Sequence, residues 1–445
     1  MKLIKKTATN FVLFYLRFFA RLQLAKNSRA VIIGITGSAG KTSTRQAVAQ
    51  ILTSKGKVKE SKKANSETGI PLNILGIFPS TYTPLDWIRM LLLAPLAAIF
   101  NWERFDYYVV EMGIDSPRSP KNMDYLLKII RPHVAVVLNS GLVHGAAFDY
   151  LVKDRDPMRR QAKIRREIAK EKIKLAVRVA PSGIAIVNMD DPHLKSLSTS
   201  VKARLVTLGK NGSASFKLGK PRLSSQGFNF TFSYQGKTHQ LAVPEVFDDS
   251  YIYTFGAALA VGAALGIPPE KSIQVLASYL PPAGRMRKFR AINSSQVLDS
   301  SYNASPDTME HALEALAKIA PHAHKIAVLG DMRELGQGTK YAHKHLAKLI
   351  ATHASQAILF GPATAKYTYP LLQKSGFPVR HFTKMSDLIS FLKLEISAGS
   401  WILVKGSQNT IFLERAVEAV LADLHDASNL CRRGKLWDKI RQNTS

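Results

Sequence analysis

Val31-Ile32-Ile33-Gly34-Ile35-Thr36-Gly37-Ser38-Ala39-Gly40-Lys41-Thr42 is the stretch on which the fold turns. Its first six residues form a short β-branched run of strand character, and Thr42 to Leu52 repeats with helical periodicity. Gly37 and Gly40 let backbone N–H groups approach a phosphate with no Cβ in the way. Lys41 supplies a point charge for the β and γ phosphates, and the Thr42 hydroxyl is suited to Mg2+. Ser38, Ala39 and Ser43 complete a nucleotide-binding loop at the positive end of the helix. The strict phosphate-loop spacing wants glycine at 35, where this chain has Ile35 with Gly34 one place earlier. The strand before the loop and the helix after it are both present, and that context gives the short motif its meaning.

Further apolar runs follow at Tyr107 to Val110, Val134 to Leu138 and Ile184 to Val187, separated by charged stretches of helical character. Buried parallel strands have this form, so the fold class is α/β with a wound sheet. The charge-rich segment Leu151 to Leu175 reads as a loop followed by an exposed helix, and Ser213 to Val243, with alternating phenylalanines, as an appended hairpin or meander. A helix rich in Ala and Gly is expected from about Tyr251 to Leu265. Pro281-Pro282-Ala283-Gly284 punctuates the chain, and strand-like runs at Gln296 to Leu298, Ile326 to Leu329, Ala357 to Phe360 and Trp401 to Val404 follow it. The expected organisation is a basic amphipathic N-terminal helix at 1–29, an ATP-binding central domain at 30–282, a C-terminal Rossmann-like α/β domain at 283–425, and a loosely held basic tail at 426–445 carrying Arg432, Arg433 and Lys435.

With 62 Lys+Arg against 32 Asp+Glu, the 445-residue chain carries a formal charge of +30, which favours an anionic partner. The first thirty positions hold Lys2, Lys5, Lys6, Arg17, Arg21, Lys26 and Arg29 with no acid, interleaved with Phe11, Phe14, Phe18, Phe19 and Leu22. Such a helix either docks on its own domain or lies on an anionic membrane surface. Arg17 and Arg21 interrupt what a signal peptide would need. Met90 to Phe100 is too short to span a bilayer and contains Pro95, so it reads as a buried or interfacial segment. A single cysteine, Cys431, excludes an intrachain disulfide, and no Cys/His cluster has zinc spacing. The expected setting is the reducing cytoplasm, and the membrane-lying alternative for residues 1–29 would add peripheral contact at the inner face of the membrane.

Gly34 to Thr44 resembles the nucleotide loop of the Mur ligases, ATP-dependent enzymes that add amino acids to the peptidoglycan precursor. The resemblance extends through Val110-Glu111-Met112-Gly113, Ile186-Val187-Asn188-Met189-Asp190-Asp191, Gly284-Arg285-Met286, Asp299 to Pro306, Leu329 to Gly336, and Val404-Lys405-Gly406-Ser407. In this order the set is most similar to the members that join D-alanyl-D-alanine to UDP-N-acetylmuramoyl-tripeptide (UDP-MurNAc-tripeptide), and this chain is expected to act as a monomer with no specific nucleic-acid partner. The resemblance implies ATP and Mg2+ as cofactors, an acyl phosphate intermediate, and release of ADP and phosphate. It further implies that Thr42, Glu111, His144 and a carbamylated Lys172 hold metal, with Lys170 as the neighbouring lysine to be distinguished from it. Arg285, Asp299, Tyr302 and Asn303 would contact nucleotide, and Lys405 an acyl phosphate or substrate carboxylate. Ser250, Tyr251 and Thr254 replace the family's adenine-contacting pattern, and the uridine-binding domain usual before the loop is expected to be missing. Two other readings compete: a similar amide ligase with a lipid-linked or other carboxylate acceptor, and a non-catalytic nucleotide-binding scaffold or nucleic-acid-associated NTPase. Lys41, Thr42, Glu111 and His144 occurring together favour chemistry over scaffolding.

Overall fold

A computed structural model describes residues 2–62, 64–407, 411–434, 437–438 and 440. Lys435 lies outside the described residues. The chain folds around two sheets. The first contains β1 (Val31–Thr36), β2 (Val58–Glu60), β3 (Tyr107–Glu111), β4 (Val134–Val137), β5 (Ile184–Asn188), β6 (Arg204–Gly209), β7 (Phe216–Leu218), β8 (Arg222–Ser224), β9 (Gly227–Tyr234) and β10 (Lys237–Val243). Its order is β10-β9-β7-β6-β5-β4-β1-β3-β2, with β8 paired to β9. Pairing is parallel from β2 across to β7 and antiparallel among β7 to β10.

The central strands are buried on both faces, which explains their unbroken Val and Ile runs. One face is covered by α1 (Lys2–Ala25), α3 (Gly69–Leu75), α4 (Pro84–Phe100), α5 (Met123–Ile129), α6 (Pro157–Val177) and α7 (Pro192–Leu197). The other face packs on α2 (Lys41–Thr53), α8 (Tyr251–Ala264) and α9 (Pro269–Ala277). The alternating Phe216, Phe228, Phe230 and Phe232 point into this second core. Several helix starts share one local device. Thr83, Asp156 and Asp191 each accept a backbone N–H of the first turn, and each is followed by proline, whose missing N–H costs nothing there.

The second sheet has the order β11-β12-β16-β13-β14-β15. Its strands are β11 (Arg287–Ala291), β12 (Ser295–Ser300), β13 (Lys325–Gly330), β14 (Gln356–Phe360), β15 (Val379–Phe382) and β16 (Trp401–Lys405). Around them lie α10 (Pro306–Ile319), α11 (Thr339–His353), α12 (Tyr369–Lys374), α13 (Met385–Glu395) and α14 (Glu414–Val420). The chain passes from one sheet to the other between α9 and β11, through the Pro281–Gly284 segment.

The N-terminal helix docks on its own domain: Leu13, Leu16 and Ala20 of α1 belong to the core beneath β1 and β3. One expectation changes. The tail is not loose at Arg432, which is buried and donates to Glu414 Oε2 at 2.7 Å, with side chains exposed by only 3% and 0%. A guanidinium that finds a buried carboxylate ties down chain whose composition alone suggests a solvated end.

Candidate active site

Parallel pairing brings the C-terminal ends of β1, β3, β4 and β5 to one edge, where open α/β sheets form their ligand crevice. Ile35 lies opposite Glu111, and Thr36 opposite Val137, so the loops that follow these strands converge. Gly40 caps α2 with φ of 81°, a left-handed conformation open to glycine. A Cβ on Gly37 would come within 2.9 Å of Leu138 Cβ. Asn139 Oδ1 accepts from Ser38 N at 2.8 Å and Ala39 N at 2.9 Å, while Ser38 Oγ donates to Gly141 O at 2.6 Å. The loop is thus pre-shaped by its neighbour. Lys41 Nζ donates to Gly37 O at 2.8 Å, curled over its own loop. Burial lowers its pKa, Glu111 opposes that shift, Arg285 adds to it, and Asp115 opposes it. A desolvated cation among backbone N–H groups is a receptor for phosphate.

Across the loop mouth, Thr42 Oγ1 donates to Glu111 Oε2 at 2.9 Å. Arg285 reaches over from the second domain and donates from Nη2 to Thr42 Oγ1 at 3.0 Å. Its guanidinium lies 4.4 Å from the centre of the Tyr302 ring, a stacked arrangement that fixes its plane. Lys405, opposite Ser300 in the register of β12 and β16, donates to Ser300 Oγ at 3.0 Å and Asn303 O at 2.9 Å. Burial lowers its pKa to about 8, with Asp248 opposing the shift and Arg285 reinforcing it. The cleft between the domains has a volume of about 840 Å³ and is lined by the loop, Glu111, His144, Arg285, Tyr302, Asn303 and Lys405.

Lys172 is 3% exposed, and burial followed by the nearby charge of Lys41 holds its ammonium well below the ordinary range, opposed by Asp115 and Asp191. Lys170, two positions away, is half-exposed and donates to Glu167 Oε1 at 2.7 Å. His144, with φ of 59°, has Nδ1 2.6 Å from Glu334 Oε2 and Nε2 3.4 Å from Asp115 Oδ1. Among the described residues no three His, Cys, Asp or Glu side chains form a ready-made metal cluster. Mg2+ at a nucleotide takes one or two protein oxygens and fills its shell with phosphate and water. The hydroxyl of Thr42 beside the carboxylate of Glu111 meets that requirement.

Asp299 does not reach the cleft, contrary to expectation. It is fully buried, its Oδ1 accepts from Ser301 N at 3.0 Å and Ser301 Oγ at 2.6 Å, and burial raises its pKa. It shapes the turn that presents Tyr302 and Asn303. Gly37 likewise lies behind the cleft wall, contributing its carbonyl to Lys41. Several contributing residues were given no role from the sequence. Asp191 lay within a recognised motif, while Asn139 and Asp115 sit next to recognised strand ends, and that position was the available clue. Arg165 donates to both carboxylate oxygens of Asp307, at 3.1 and 2.6 Å, and joins the two domains beside the cleft. Such a pair is created only by tertiary folding.

A phosphate loop facing an arginine and a lysine carried by a second α/β domain defines a two-domain nucleotide-dependent enzyme. Comparison with known proteins gives the family. The Mur ligase middle domain matches residues 35–153 and 160–260, and the Mur ligase glutamate ligase domain matches residues 284–408. The chain belongs to the Mur ligase family. It is 27% identical over 417 residues to the UDP-N-acetylmuramoyl-tripeptide--D-alanyl-D-alanine ligase of Mycobacterium leprae, covering 85% of this chain and 71% of that protein. MurF from Acinetobacter baumannii has the same fold, with a TM-score of 0.74 at 22% identity, covering 93% of this chain and 80% of the other. MurF of Thermotoga maritima in complex with ADP gives a TM-score of 0.73 at 21% identity, covering 97% and 84%.

Proposed function

We propose that this protein is an ATP-dependent amide ligase of peptidoglycan precursor synthesis that joins D-alanyl-D-alanine to UDP-MurNAc-tripeptide. The observation that carries the reading is Arg285 of the second domain bonded to Thr42 of the phosphate loop, with Lys405 in the same cleft. The γ-phosphoryl group passes to the terminal carboxylate of the tripeptide, giving an acyl phosphate and ADP. The amine of the dipeptide attacks the acyl carbon, and phosphate leaves with one former carboxylate oxygen. Lys41 and the loop N–H groups hold the β and γ phosphates, and Arg285 and Lys405 face the charge that develops on the transferred group. Thr42 and Glu111 would hold Mg2+, which would supply neutralisation of charge on the phosphates.

Lys172 suits carbamylation. Burial and the Lys41 charge both favour the unprotonated amine, the form that adds carbon dioxide, and the resulting carbamate would place an anionic oxygen ligand near Lys41. His144 lies 3.4 Å from Asp115, whose charge also acts on Lys172, and is the second candidate ligand. The protein works in the cytoplasm, with α1 facing an anionic membrane. Purified protein with ATP, Mg2+, UDP-MurNAc-tripeptide and D-alanyl-D-alanine tests the reading by product mass. A pentapeptide product at one ADP per bond is expected, and ATP hydrolysis with no product would overturn it.

A further inference from the structure

α1 and α4 pack side by side and run parallel. Tyr15 Oη donates to Leu91 O at 3.2 Å, and further along Gln23 Nε2 donates to Asn101 O at 2.9 Å and Lys26 Nζ to Ile99 O at 3.0 Å. Each helix buries one stripe, Leu13, Leu16 and Ala20 in α1 and Met90, Ala94 and Ala98 in α4. The opposite stripe of each is also apolar, which an ordinary amphipathic helix on a domain surface would not show. Phe11, Phe14, Phe18 and Leu22 recur at helical spacing along α1 and are exposed by 46 to 63%. Leu85, Ile88, Leu92, Leu96 and Ile99 do the same along α4, exposed by 50 to 78%. Together they present on the order of 1,000 Å² of apolar surface, above the few hundred Å² a soluble monomer ordinarily leaves open.

The charge around this surface is predominantly positive, and Glu103, the acid between Trp102 and Arg104, is paired with Lys59. Arg17, Arg21, Lys26 and Arg29 lie on or just after α1, Arg89 on α4, and Arg104 just beyond it. Residues 1–29 contain no acid, and the single acid of α4, Asp86, is buried under backbone N–H groups of Ser80, Thr81 and Tyr82 and the Arg89 guanidinium. At the C-terminal end of the pair, Lys26 Nζ sits 4.4 Å and the Arg104 guanidinium 5.5 Å from the centre of the exposed Trp102 ring. An indole clamped by cations beside an apolar face is the composition of the headgroup boundary. No helix among the described residues is long and apolar enough to cross a membrane.

From these observations we propose that α1 and α4 form one two-helix platform that lies in the headgroup region of an anionic leaflet. The inference rests on the reading of α1 as membrane-facing and extends it to α4, whose stripe is the larger. A second copy of the chain fits poorly, because a two-fold contact would set cationic rim against cationic rim in a molecule of net charge +30. None of the platform side chains lines the cleft, so docking leaves the nucleotide site open.

The test is co-sedimentation of the full chain with vesicles of phosphatidylcholine alone or mixed with phosphatidylglycerol, with light scattering to record oligomeric state. Three variants separate the terms: Phe14→Gln with Phe18→Gln, Leu92→Gln with Leu96→Gln, and Arg21→Gln with Arg29→Gln, both of whose side chains are exposed. Binding to anionic vesicles that weakens with salt is expected, and each double variant should bind at least about tenfold more weakly, with unchanged melting temperature and ligase activity. Loss in the α1 variant with full binding by the α4 variant would overturn the two-helix platform and leave α1 as a lone anchor. Absence of vesicle binding by the unsubstituted chain, or a dimer that the α4 variant dissolves, would overturn membrane docking altogether.

Discussion

Replacing Lys405 by methionine should stabilise the protein while disabling it. Methionine keeps the volume of the lysine stem and removes the ammonium. In the folded chain the amine titrates at about 8 against an ordinary value of 10.5, chiefly because burial disfavours its charged form. That difference corresponds to roughly 3 kcal/mol of unfavourable charge burial. Folded chains bind fewer protons than unfolded ones between the two values, so the cost is present in full below about pH 8 and is relieved as pH climbs toward 10.5. Removing the ammonium also leaves Ser300 Oγ and Asn303 O without a donor, at about 1 kcal/mol for each lost hydrogen bond. The net gain at pH 7 is therefore about 1 kcal/mol, or roughly 3 to 6 °C in the melting of the C-terminal domain. Calorimetry at pH 7 and pH 10 reads it, and the advantage of the variant should shrink at the higher pH. Turnover should fall by at least about a hundredfold, since an ammonium aimed at developing charge is lost. A variant that melts lower at pH 7, or that keeps near wild-type turnover, would refute the assignment of Lys405 as a cation held at a cost for its chemistry.

Lys41→Ala should abolish ligation with the melting temperature unchanged, because Nζ bonds its own loop carbonyl and holds no core contact; isothermal titration with ADP should show the lost affinity. Lys172→Ala should cut turnover strongly and regain part of it with added short-chain carboxylates, whereas Lys170→Ala, which loses only a surface pair, should do little. Arg432→Ala should destabilise the C-terminal domain by about 3 kcal/mol in urea unfolding, since it strips the guanidinium from a fully buried Glu414. A loss below about 0.5 kcal/mol would mean that the tail is held by something else.

Much of this architecture was legible because local signals agreed. The β1 run, the glycine loop and α2 each pointed to a phosphate site, and β-branched runs marked the parallel strands. Lys172 stands out once helical spacing is applied, since Ile164, Ile168 and Leu175 share its buried face of α6, while Lys170 points to solvent. Asp299 lies deeper than its motif alone suggests, because a motif gives position but not depth: β12 is buried along its last residues, and the carboxyl turns back on Ser301. Asn139, Glu334 and the Arg165–Asp307 pair depend on loops that meet only after both sheets form. The apolar run of α4 suggested burial, yet which half of it stays bare is decided by α1, α3 and the sheet edge.

The most direct test of the acyl phosphate route follows one oxygen atom. UDP-MurNAc-tripeptide labelled with 18O in its terminal carboxylate, turned over with ATP, Mg2+ and D-alanyl-D-alanine, should yield phosphate carrying one 18O per amide bond formed, because a carboxylate oxygen leaves bonded to phosphorus. Amide formation with unlabelled phosphate, or labelled substrate recovered intact while ATP is consumed, would contradict that route and the phosphoryl transfer assigned to the cleft between Lys41, Arg285 and Lys405.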